Sequence, residues 1–99
     1  MKPDEKVICR TPTPGKEPTR IDRWKFDAFR RAILKAVPSR GDGILFKDLA
    51  GEVRENLPRD RLDDLGSVSW YTTTVKLELE VAGEIVRVPG SKPQRLLRN

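Results

Sequence analysis

The stretch from Ser67 to Leu97 constrains the fold of this 99-residue chain more than any other part. Val75, Leu77, Leu79 and Val81 alternate with Lys76, Glu78 and Glu80, which in isolation is a strand pattern. Read at helical spacing, Tyr71, Val75, Leu79 and Ala82 share one face and Trp70, Thr74, Leu77 and Val81 a second. What remains is a single polar stripe of Ser69, Thr72, Thr73, Lys76 and Glu80. Lys, Leu, Glu and Ala favour helix, Ser67 or Ser69 can cap its start, and Gly83 suits the first residue past its end. The expectation is a helix buried on two faces. Glu84 to Val88 then reads as a strand, Pro89 to Pro93 as a turn and Gln94 to Arg98 as the return strand.

Upstream, Thr19 and Asp22 have capping-box spacing, with Asp22 itself as an alternative cap. A helix follows to about Val37, with Phe26, Phe29, Ile33 and Val37 on one face and Pro38 and Gly41 as its stop. Trp24, Arg31 and Lys35 fall on the opposite side, where Trp24 reads as covered by the N-terminal arm or as a partner hot spot. Gly43 to Phe46 reads as a very short strand. Lys47 to Leu57 reads as a second helix with Leu49, Val53 and Leu57 inward. Arg59 to Gly66 is a charged connection in which Leu62 and Leu65 can pack down as one helical turn. Residues 1–20 carry Pro3, Pro12, Pro14 and Pro18 and read as an extended or disordered arm, with Val7 to Cys9 as a short edge strand. Residues 21–99 are then one small α+β domain.

Composition narrows the chemistry. The chain has no histidine, which removes the commonest general base and metal ligand. No nucleophile motif and no core large enough for a catalytic cavity are visible, so the expectation is not an enzyme and needs no cofactor. Asp60, Asp63 and Asp64 cluster, but Arg59 and Arg61 sit among them and calcium-loop spacing is absent. A solvated turn is the reading, and no metal is expected. The Gly41–Gly43 and Pro89–Gly90 segments are turns rather than phosphate loops. The single cysteine, Cys9, reads as a small hydrophobe, and its solitude points to a reducing, cytoplasmic home. No signal peptide and no apolar run near the roughly 20 residues of a membrane span are visible.

Net charge is +5 and unevenly placed. Residues 1–21 hold five basic and three acidic side chains, and residues 22–37 five and two. Residues 38–83 hold six and nine, and residues 84–99 four and one. The excess lies in the arm, the first helix and the C-terminal hairpin, which invites a polyanionic partner.

The run Leu79-Glu80-Val81-Ala82-Gly83-Glu84-Ile85-Val86-Arg87 resembles the helix-to-wing junction of winged-helix domains, over about Asp22 to Arg98. The fuller pattern at 11–25 and 67–78 resembles a small bacterial family with no assigned function. The resemblance implies a winged helix-turn-helix fold: three helices, a two- to three-stranded antiparallel sheet forming the wing, and an extended arm. It further implies a third helix laid in the major groove of double-stranded DNA, with the wing beside it, in transcriptional regulation. Carried over by position, the reading stripe is Ser69, Thr72, Thr73 and Lys76, and the wing contributes Arg87, Lys92, Arg95 and Arg98. Each set has a plainer reading, the stripe as a solvated helix face and the wing cations as guards of an edge strand. Trp70 and Tyr71 could stack on bases, but their faces read as core. The third helix lacks Arg, Asn and Gln for bidentate base contacts. Glu78 and Glu80 favour the alternative, a protein–protein interaction module on the same scaffold. No additional dimerising helix is visible, so a monomer is expected.

Overall fold

A computed structural model of the chain describes residues 5–99. Residues 1–4 of the expected arm lie outside the described residues. The architecture is α+β. Strand β1 (Lys6–Cys9) pairs antiparallel with β2 (Thr19–Asp22), Lys6 opposite Asp22 and Cys9 opposite Thr19. Helix α1 (Arg23–Ala36) follows, then β3 (Ile44–Leu45) and α2 (Phe46–Glu55). A 3₁₀ turn (Arg59–Arg61) leads into the one-turn α3 (Leu62–Leu65). Helix α4 (Val68–Val81) precedes β4 (Ile85–Arg87) and β5 (Arg95–Arg98). The second sheet is antiparallel, with β5 between β3 and β4.

There are four α-helices among the described residues, not the three expected. The extra one is the turn suggested by Leu62 and Leu65, where burial of Leu65 holds the charged connection down. The boundary expected at residue 20/21 falls inside β2, and both Cys9 and Ile21 enter the core. The capping box does not form. Asp22 occupies the N-cap position of α1 without a side-chain cap bond and instead pairs with Lys6 across the strands.

The core forms where α1, α2 and α4 meet, around Phe29, Ile33, Leu49, Val53, Val75 and Leu79. Phe29, Ile33 and Val37 are buried as their helical spacing predicts, and Phe26 packs at the margin. Trp24 packs against the core edge with the Arg61 guanidinium 4.3 Å from its ring centroid, a cation–π contact from the charged connection.

Helix α4 begins and ends as its sequence dictates. Ser67 Oγ accepts from Trp70 N–H at 3.1 Å. At the other end Gly83 sits at φ +79°, its N–H donating to Glu80 O and that of Glu84 to Leu79 O. This pair of bonds is a Schellman motif, which needs the left-handed residue that glycine supplies without strain.

A candidate interaction surface on helix α4

Secure ends do not fix a helix's rotation, and α4 is turned by roughly a quarter turn from the orientation its polar stripe predicts. Thr72 and Lys76, expected in solvent, are 1% and 2% exposed. Trp70 and Val81, expected in the core, are 48% and 37% exposed. Tyr71 alone of the aromatic pair keeps its expected role, stacked on Phe29 at 5.3 Å between centroids, while Trp70 stands edge-on against it from outside.

The cause is the charge that two distant segments bring to α4. Lys76 Nζ lies 2.9 Å from Glu80 Oε2 and 4.5 Å from the Phe46 ring centroid. Burial pushes the Lys76 ammonium below its ordinary pKa, and Glu80 opposes that displacement. Arg87 of β4 closes on the same carboxylate, and Glu80 in turn raises the Arg87 pKa. Burying the Lys76 and Glu80 side chains is tolerable only because each charge meets its opposite, with the half-exposed Arg87 completing the set. Thr72 Oγ1, one turn before Lys76, is buried with no hydrogen-bond partner.

On the opposite flank, Glu78 receives three bonds from Arg10. Arg10 Nε donates to Oε1 at 2.9 Å, Nη2 to Oε2 at 2.6 Å and the backbone N–H to Oε1 at 2.8 Å. The Arg10 hydrogen bonds hold the Glu78 carboxyl below the usual carboxylate range. The adjacent Cys9 thiol is pushed up to about 11, first by burial and then by Glu78. It is the chain's one free cysteine and is held as an inert thiol.

The residues expected to contact nucleic acid are therefore dispersed. Ser69 and Thr73 are exposed on α4. Thr72 and Lys76 face inward, and Arg87 is bound to Glu80. Lys92 is exposed in the turn and Arg95 half-buried on β5. Arg98 is tied to the end of α1, its Nε donating to Val37 O and its backbone N–H to Pro38 O. Lys76 and Arg87 do come together, but on an internal carboxylate.

What α4 offers to solvent is Ser69, Trp70, Thr73 and Val81, with Thr74 and Leu77 half-exposed among them. This face carries no cation. The loop joining β1 to β2 flanks its C-terminal half, leaving a pocket of about 190 Å³ lined by Thr11, Lys16, Thr74 and Leu77 among others. A wider groove of about 560 Å³ is lined by Pro12–Pro14, Glu80 and Ile85–Arg87. Among the described residues no group of three His, Cys, Asp or Glu side chains could hold a metal ion. No described helix is long and apolar enough to cross a membrane.

A family model described as "Family of unknown function (DUF6958)" matches residues 6–96. Searches of curated proteins and of solved structures found no match.

Proposed function

We propose, from the premise that the chain belongs to this family of unknown function, that it is a winged-helix scaffold binding a protein partner through the outer face of α4. Two features support the scaffold. The elements after residue 22 run helix, strand, two helices, the turn α3 included, then helix, strand, turn and strand. The returning strand β5 also lies between β3 and β4. Fold alone assigns no function, so the reading rests on the site.

One observation carries it: the solvent face of α4 is an uncharged stripe of hydroxyl and apolar side chains, built around a tryptophan that is nearly half exposed. Tryptophan is enriched among residues that dominate protein interfaces, and an aromatic with aliphatic neighbours loses water on docking without leaving charge unpaired. Groove reading in DNA asks for the reverse, Arg, Lys, Asn or Gln aimed outward. Lys76, the lysine of this helix, points inward.

The test is site-specific photo-crosslinking in cells that naturally make the protein, with a benzoyl-phenylalanine at Trp70 and a control at the exposed Arg54. The expected result is a discrete protein adduct from position 70 and none from 54. The opposing result is salt-sensitive binding to duplex DNA that disappears on charge reversal at Lys92 and Arg95, with no adduct from position 70.

A further inference from the structure

We propose that the β1–β2 loop is a strap over the outer face of α4, closed by the Arg10–Glu78 clasp and lifted to admit the partner. This deepens the protein-partner reading and rests on it, by stating what controls access to that face.

The first observation is a break in the exposure of the face. Trp70, Thr74, Leu77 and Val81 follow one another at intervals of four, three and four residues, one ladder along a helix. The ends of the ladder are exposed and its two middle rungs are half-buried. Thr74 and Leu77 share the lining of the cavity of about 190 Å³ with Thr11, Thr13, Lys16 and Glu17 of the loop. The loop therefore stands at the middle rungs, and its side chains leave the space there unfilled.

The second is how lightly the loop is held. Cys9 and Ile21, one on each strand, are core residues at 3% exposure. Between them every residue from Pro12 to Pro18 is exposed. Burial of apolar surface thus anchors the strands and not the loop. Among the described residues, the hydrogen bonds that tie residues 10–18 to another element are those of Arg10 to Glu78.

The third is where the clasp sits. It lies at the root of the loop, one residue past Cys9, so opening it frees the strap and leaves the β1–β2 pairing in place. Pro12, Pro14 and Pro18 keep their φ angles nearly fixed in either position, so the strap swings as a piece. The Arg10 side chain is already 55% exposed, and the Glu78 carboxylate gains water as the loop leaves. Neither charge is stranded, so the open form is accessible, and the open fraction enters the partner's apparent affinity.

The test reads the loop and the partner separately. In a Cys9→Ala background, Thr74→Cys places a thiol beneath the strap and Thr73→Cys places one on the exposed part of the helix. Adding Glu78→Gln should speed maleimide labelling at position 74 about fivefold, the worth of a charge-assisted clasp half in solvent, and leave position 73 unchanged. Replacing residues 12–16 by Asn-Gly continues the Cys9–Thr19 register as a tight hairpin and removes the strap. It should speed labelling at position 74 at least as much. Both changes should raise the yield of the protein adduct from the photo-crosslinker at position 70. The proposal is overturned if labelling at position 74 responds to neither change, or if an adduct forms and its yield does not rise. It is equally overturned if shortening the loop lowers that yield, since the loop would then be part of the docking surface. A thiol that responds with no adduct in any variant overturns the partner reading and not the strap. Should the shortened loop fail to fold, Glu78→Gln decides.

Discussion

Helix α4 holds two β-hairpins by the same device on opposite flanks, and the two grips are unequal. Glu78 takes the β1–β2 hairpin through Arg10 alone, whose guanidinium stays half in solvent while its backbone N–H completes the clasp. Glu80 takes the wing through Arg87 but shares its carboxylate with Lys76, which has no access to water. Both arginines are about half exposed and both carboxylates nearly buried. The second grip differs in that its carboxylate also neutralises a buried ammonium, so its parts depend on each other. Two carboxylates that read as evidence against a polyanionic partner thus serve chiefly as anchors for the elements on either side.

The sharpest way to break the comparison is Glu80→Ala. It strands a buried ammonium and should cost about 3–5 kcal/mol in chemical denaturation, with Lys76→Met by contrast nearly neutral. Equal losses for the two variants would mean the three charges act independently. Glu78→Ala should cost less, about 1–2 kcal/mol, because its bonds are charge-assisted but solvent-screened, and amide exchange should speed up in β1 while β4 is unchanged. Hydrogen bonding from Arg10 holds the folded Glu78 carboxyl below its ordinary value of 4.5. Its contribution is therefore present above that pH and lost as pH falls through the folded pKa, and Glu78→Gln should flatten the acid limb of a stability profile. At alkaline pH the hairpin is again the weaker side. The Cys9 thiol, raised from 9.0 to about 11, stabilises below pH 9 and loses that contribution as pH rises towards 11. Cys9→Ala should remove this alkaline loss. The smallest effect expected is a gain: Thr72→Val deletes a buried hydroxyl without a partner and should raise stability by about 1 kcal/mol.

Local signals were legible in the sequence, and signals made at a distance were not. Gly83 and Ser67 end α4 as read because a cap involves only its own few residues. Phe29, Ile33 and Val37 fill the core because three-dimensional spacing follows directly from helical spacing. The rotation of α4 is not legible in the sequence because its stripe of Thr72, Lys76 and Glu80 is polar. That stripe becomes an interior surface only when Arg87, eleven residues after Lys76 in the chain, arrives beside it. Helical spacing puts Trp70 on one face with Thr74, Leu77 and Val81 but does not say whether that face is inside, and an exposed aromatic is compatible with the surface of a small domain. The strand pair of residues 6–22 was half legible. Val7 to Cys9 looked extended, but Thr19 to Asp22 carried a cap pattern, and nothing local told that Lys6 would claim Asp22.

Gly43 lies against the backbone of β5, where an added Cβ would come within 2.5 Å of Leu96 O at a φ of +84°. Three residues on, the first N–H of α2 is bonded to Gln94 O. The wing and the second helix are therefore joined main chain to main chain, and a shift of β5 would have to carry the start of α2 with it.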